Sequence, residues 1–194
     1  KNHSIIAELE RLAGRKLSEC KATYVITAAN KEFNDKGWLI DNLKELQEEC
    51  KEVEITDLAL EREVWLPRLQ WADILVFGGG HTDYLMKQVV ASRLQHELSD
   101  LLTERLYVGI SAGSIIATPT TAPNSSGEIK AEALNLVAFG IQPHYLSEDF
   151  DVASTIEKVA ERKEANGIQY PLYALDDQSA ISVDGSAVTV ISEG

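Results

Sequence analysis

The sequence predicts an α/β fold, a three-layer sandwich with a mostly parallel sheet between helices and an antiparallel hairpin at the C-terminal end. Three observations carry this reading. Apolar runs alternate along the chain with segments whose apolar residues recur at helical spacing. The runs are nearly continuous rather than alternating, as in strands buried on both faces. The last two runs are separated by Asp184-Gly185, a tight-turn pair. A length of 194 residues, 44% hydrophobic and 25% charged, suits one globular domain over 1–194 with a sizeable core.

The elements follow in order. Ile5, Ile6, Leu9 and Leu12 share a helical face, and Gly14 ends that helix. Ala22 to Ala28 reads as a buried strand, and Asp35 to Cys50 as a helix with Trp38, Leu39, Leu43 and Leu46 on one face. A short strand, Val53 to Ile55, precedes a helical or turn segment with Trp65, Leu66, Leu69 and Trp71 around Pro67. Asp73 to Phe77 is a continuous apolar strand running into Gly78-Gly79-Gly80; helices follow from Asp83 to about Val90 and from about Arg93 to Thr103. Leu106 to Ile110 is the next strand. Pro119 to Gly127, rich in Thr, Pro, Asn and Ser, is a loop. Leu134 to Ile141 returns to the core, and Val152 to Asn166 is a helix ending at Gly167. Leu172 to Leu175, Ala180 to Val183 and Ala187 to Ile191 are the remaining strands.

The formal net charge of −13 argues against nucleic-acid and anionic-membrane partners. The acids are spread over helices, as on a solvated surface. No apolar run approaches the roughly 20 residues that a membrane span needs, and no signal-peptide core is visible. The two cysteines, Cys20 and Cys50, fall in no motif and read as free thiols, which fits a cytoplasmic protein. A monomer or homodimer is expected.

The chemistry centres on Gly109-Ile110-Ser111-Ala112-Gly113, a G-x-S-x-G pentapeptide between an apolar strand and a helix-forming stretch. In that context the pattern is a nucleophile elbow, a sharp turn that holds the serine hydroxyl clear of the backbone. A serine nucleophile needs a base and an acid that orients the base. Of the four histidines, His3 lies near the chain start and His96 mid-helix, so both read as surface residues. His144, in Gln142-Pro143-His144-Tyr145, sits at the end of an apolar run, where sites form in parallel sheets, and reads as the base.

Chain order separates two kinds of hydrolase. In α/β-hydrolases the acid lies between serine and histidine. Here no aspartate lies between Ser111 and His144, only Glu128 and Glu132. The acid is therefore expected after the histidine, from Asp176-Asp177 beyond the strand Leu172 to Leu175, with Asp149 and Asp151 as alternatives in a polar loop. One oxyanion donor is the N–H of Ala112, and a second can come from the triple glycine. No H-E-x-x-H pattern or cysteine cluster calls for a metal, and no cofactor is expected.

These stretches, in this order, resemble the dipeptidase E (aspartyl dipeptidase) family of serine peptidases, which includes cyanophycinases. The matching segments are Leu75 to Thr82, Gly109 to Ser114, Ala133 to Leu136 leading to Pro143-His144, and Ala174 to Ala180. The resemblance implies a fold akin to the class I glutamine-amidotransferase, flavodoxin-like domain. It implies Ser111 as nucleophile, His144 as base and Asp177 at the family's glutamate position, with Gly80 and Ala112 as the oxyanion hole. Gly79, His81 and Ser114 are then expected to contact substrate, which would be a small peptide.

The chain departs from the family pattern in four places. Asp177 is one methylene shorter than the family's glutamate. His81 stands where an asparagine usually follows the glycines. No arginine or lysine lies between Tyr145 and Glu157, where aspartyl dipeptidases keep the arginine that binds the substrate's aspartate, and Lys158 and Arg162 farther along contribute only if their helix is suitably oriented, so strict Asp-X specificity is not expected. The family's usual strand ahead of the first helix is absent, so either residues are missing at the start or the sheet is one strand shorter. Two rivals share the same residues: an esterase or thioesterase, marked by activity on p-nitrophenyl esters far above that on peptides, and a non-catalytic binding member of the fold, marked by binding without turnover.

Overall fold

The structure, a computed structural model, describes residues 3–121, 132–148, 150 and 155–193. Its centre is a four-stranded parallel sheet in the order β2-β1-β3-β4, formed by β1 (Lys21–Val25), β2 (Glu52–Thr56), β3 (Ile74–Phe77) and β4 (Leu106–Gly109). Strand side chains alternate between faces, and the two faces bury different helices. Val25, Leu75 and Phe77 pack with Trp65, Leu69, Leu85, Val89 and Leu98 from α4 (Arg62–Trp71), α5 (Thr82–Ser92) and α6 (Leu94–Leu101). On the other face, Ala22, Tyr24, Ile74 and Val76 pack with Ile6 and Leu9 of α1 (His3–Ala13) and Leu39, Leu43 and Leu46 of α3 (Gly37–Glu49). This is the three-layer α/β arrangement expected from the alternating runs.

The strand expected over Ala22 to Ala28 stops at Val25, and Thr27–Asn30 forms the single-turn helix α2. The Thr27 hydroxyl explains the switch. It donates to Asp57 Oδ1 and accepts from Leu58 N–H, both at 2.8 Å, so the side chain satisfies the turn after β2 instead of continuing a ladder. Pro67 lies inside α4, which resolves the helical-or-turn alternative as helix.

After the short helix α7 (Ala112–Ile116), β5 (Gly140–Gln142) and β6 (Leu172–Ala174) form a separate parallel pair, with α8 (Ile156–Ala165) between them. The return to the core over Leu134 to Ile141 is interrupted: Leu134 packs against the core, Asn135 and Leu136 are exposed, and burial resumes at Phe139. Most of the Pro119 to Gly127 loop, the start of the Val152 to Asn166 helix, and Glu128, Asp149 and Asp151 lie outside the described residues. An apolar cavity of about 440 Å³ lies between the outer edge of β4 and β5, lined also by Ile5, Leu9 and Ile181.

The antiparallel hairpin is present as β7 (Ser179–Asp184) and β8 (Ala187–Ser192), turning at Gly185-Ser186 with Gly185 at φ 57°. It is a two-stranded sheet of its own, resting on α1. Ser182 Oγ donates to Glu8 Oε1 at 2.5 Å, and Arg11 bridges Glu8 and Asp184. The hydrogen bonds from Arg11, and then Ser182, hold the Glu8 carboxyl at about 2, below the ordinary 4.5. A depressed folded-state value means that this tether is intact above about pH 4.5 and is lost as pH falls toward 2. Protection of the β7 and β8 amides, measured relative to their intrinsic exchange rates, is expected to fall in that window, and less steeply in Ser182→Ala, which lacks part of the linkage.

Cys20 and Cys50 are free and buried. Burial pushes the Cys50 thiol up to about 11, so it is held protonated. Among the described residues no helix is long and apolar enough to cross a membrane.

Candidate active site

The C-terminal ends of β3, β4, β5 and β6 each deliver one part of the site. β4 runs into Ser111, which takes φ 49° and ψ −110° before α7 begins. A non-glycine residue with positive φ is costly, and such strain concentrates at functional sites. Here it is imposed by hydrogen bonds on either side. Ile110 N–H donates to Phe77 O at 2.9 Å, and Ser114 and Ile115 N–H both donate to Ser111 O. The Tyr107 hydroxyl braces the turn from beneath by donating to Gly113 O at 2.7 Å.

Gly113 lets α7 press against β3. A Cβ there would lie 1.9 Å from the Phe77 carbonyl oxygen, a clash with backbone that no rotamer relieves. Gly113→Ala is therefore expected to cost about 3 kcal/mol, at the top of the usual overpacking range. Urea denaturation checks this, and an unchanged midpoint would contradict it.

β5 and β6 bring the other two groups together. Leu175 N–H donates to Gln142 O at 2.9 Å and Tyr145 N–H to Leu175 O at 2.8 Å, so the pairing continues past both strand ends. His144 follows with φ 62°. Its Nε2 lies 2.8 Å from Ser111 Oγ, and its Nδ1 lies 2.7 Å from Asp177 Oδ1. The three side chains form one hydrogen-bonded chain. Asp176 stays in the turn, its Oδ1 accepting from Gln178 N–H at 3.0 Å. The Asp177 side chain is 62% exposed and that of His144 24% exposed, so water reaches the acid far more than the base.

β3 runs into the triple glycine. Gly80 has φ 125°, a conformation that L side chains rarely adopt, and a Cβ there would strike the Ala28 backbone at 2.5 Å. Among the described residues, the N–H groups of Gly80 and Ala112 make no hydrogen bond. His81 caps α5, its Nδ1 accepting from Tyr84 N–H at 3.2 Å, which leaves the neutral ring's proton on Nε2. Ser114 donates its hydroxyl to Ser111 O at 2.7 Å and lines the cavity behind the elbow, so it supports the turn. His96 is exposed on α6, away from these groups, and His3 is exposed on α1. Among the described residues no group of three or more His, Cys, Asp or Glu is placed to hold a metal ion.

Two aromatic residues at the site carry no motif in the sequence. Trp38 shares the apolar face of its helix in sequence, yet it is 38% exposed, and its Cζ3 lies 3.6 Å from where a side chain on Gly79 would begin. Ser111 Cβ lies 3.3 Å from that same point, so Trp38 walls the site beside the serine. Phe150 stacks on the His144 ring. Helical periodicity marks Trp38 as apolar but not as the residue at the site mouth, and a lone aromatic in a polar loop gives no signal.

Known proteins share this architecture. A family model described as peptidase family S51 matches residues 2–191. Peptidase E of Haemophilus influenzae is 32% identical over 142 residues, covering 64% of this chain and 56% of that protein. Peptidase E of Streptomyces coelicolor is 32% identical over 139 residues, covering 66% of this chain and 56% of that protein. The matched region thus spans about half the length of these relatives. A crystal structure from Listeria monocytogenes, described as a candidate peptidase E, superimposes with a TM-score of 0.77 at 23% identity over 97% of this chain and 94% of its own, a likeness of fold.

Proposed function

The chain belongs to peptidase family S51, and from that premise we propose that it is a serine peptidase acting on small peptides through Ser111, His144 and Asp177. The observation that carries the reading is the unbroken hydrogen-bond chain from Ser111 Oγ through both His144 nitrogens to Asp177 Oδ1. In the first half-reaction Ser111 Oγ adds to the scissile carbonyl as its proton passes to His144 Nε2. Asp177 accepts from Nδ1–H, which keeps the ring in the tautomer whose Nε2 is a free base. The oxyanion forms against the N–H groups of Gly80 and Ala112. The imidazolium then protonates the leaving amine, and water, deprotonated by the same nitrogen, hydrolyses the acyl-enzyme.

Gly79 leaves room for the acyl group between Ser111 and Trp38, and His81 offers an N–H donor at the mouth of the site. The substrate is not restricted to N-terminal aspartate. A carboxylate side chain is normally held by a guanidinium or ammonium, and the stretch from Tyr145 to Glu157 supplies neither. Purified protein assayed against a dipeptide library tests the proposal. Turnover of several X-Ala dipeptides, with Asp-Ala not preferred, is expected. Ester hydrolysis without peptide hydrolysis would replace the reading with that of an esterase.

A further inference from the structure

Phe150 lies flat against the His144 imidazole, with ring centroids 4.0 Å apart and planes at 9°. The backbone is folded to put it there. Ser147 N–H donates to His144 O and Phe150 N–H donates to Ser147 O, with His144 and Leu146 both in the left-handed region at φ 62° and 63°. Burial of the ring does not account for this placement, because Phe150 stays 45% exposed.

The geometry leaves a task for such a ring. The Cβ–Cγ bond ties the imidazole to the backbone, and the hydrogen bonds at Nδ1 and Nε2 set its rotation about that bond, so its plane is held only as firmly as those two hydrogen bonds. Of those two bonds, the one to Asp177 joins a carboxylate that is 62% exposed, where water competes and the charge is screened. A contact on the face of the ring resists rotation about Cβ–Cγ when the hydrogen bond to Asp177 is weakened. An aromatic face also attracts the positive charge that appears when the imidazole takes up a proton.

We propose that Phe150 is a positioning residue: its ring fixes the plane of the His144 imidazole and favours the imidazolium formed as the Ser111 proton is transferred. The inference rests on reading His144 as the base. The test compares wild type with Phe150→Leu, which keeps apolar bulk, and Phe150→Trp, which keeps an aromatic face. Leu is expected to lower kcat about tenfold, with KM within about twofold, and to slow fluorophosphonate labelling of Ser111 by the same factor, whereas Trp retains most of both. Thermal unfolding is expected to be unchanged in both variants, since the side chain is half exposed.

Full activity in Leu, equal losses in Leu and Trp, or a loss confined to KM would each overturn the assignment. An activity-independent readout separates its failure from failure of the peptidase reading. The His144 ring-proton resonances are expected to be upfield-shifted and sharp in wild type and Trp, and to lose the shift and broaden in Leu. Resonances that stay sharp in Leu, with only the shift due to the lost ring current, overturn the proposal even if the protein hydrolyses peptides. Broadened resonances in Leu uphold the positioning even if wild type hydrolyses none of the library.

Discussion

Ser111→Ala is expected to remove peptide hydrolysis and fluorophosphonate labelling together, with kcat/KM falling by about five to six orders of magnitude, as when a triad nucleophile is deleted. The fold should not notice. Alanine keeps the Cβ, so the cost of φ 49° is the same for both residues, and the hydroxyl's contact is with His144 rather than with a structural acceptor. Stability is expected to stay within about 0.5 kcal/mol. Intact-protein mass spectrometry after labelling checks the assignment: an adduct that persists in the alanine variant places the nucleophile elsewhere.

Asp177→Asn should lower kcat by about two to three orders of magnitude, and Asp176→Asn by less than about twofold. The buried aspartate of a serine protease triad is worth about four orders of magnitude, because its loss permits the wrong imidazole tautomer. Asp177 is 62% exposed, so solvent already shares its hydrogen bond and can replace part of it. The neighbouring carboxylate is spent on Gln178 N–H, an acceptor role that asparagine's carbonyl oxygen fills as well. Steady-state kinetics of the two variants side by side decides the matter. A larger loss at position 176 would show that the turn rearranges and that the acid has been misassigned.

The contrast between these neighbours marks where reading along the chain runs out. Asp176 and Asp177 are equivalent in composition and nearly so in position, and strand periodicity says only that they diverge. The choice is made by the turn after β6, where one side chain caps Gln178 and the other is left to reach across to β5. The elbow was more legible, because a strand, a serine between small residues and a helix are all local signals. At Thr27 a β-branched residue has the local character of strand, but its hydroxyl bonds to Asp57 and Leu58, which are distant in sequence.

The α/β class, the serine at the strand-to-helix turn, and the order serine, histidine, acid can be read from the residues alone, since each depends on near neighbours or on order along the chain. Three-dimensional packing is needed to see that Asp177 is the carboxylate on His144, that the hairpin docks on α1, and that Trp38 and Phe150 stand at the site. Those contacts join segments that the sequence does not pair. They are set by register between β5 and β6 and by the way turns fold back, and neither leaves a periodic trace in the residues themselves.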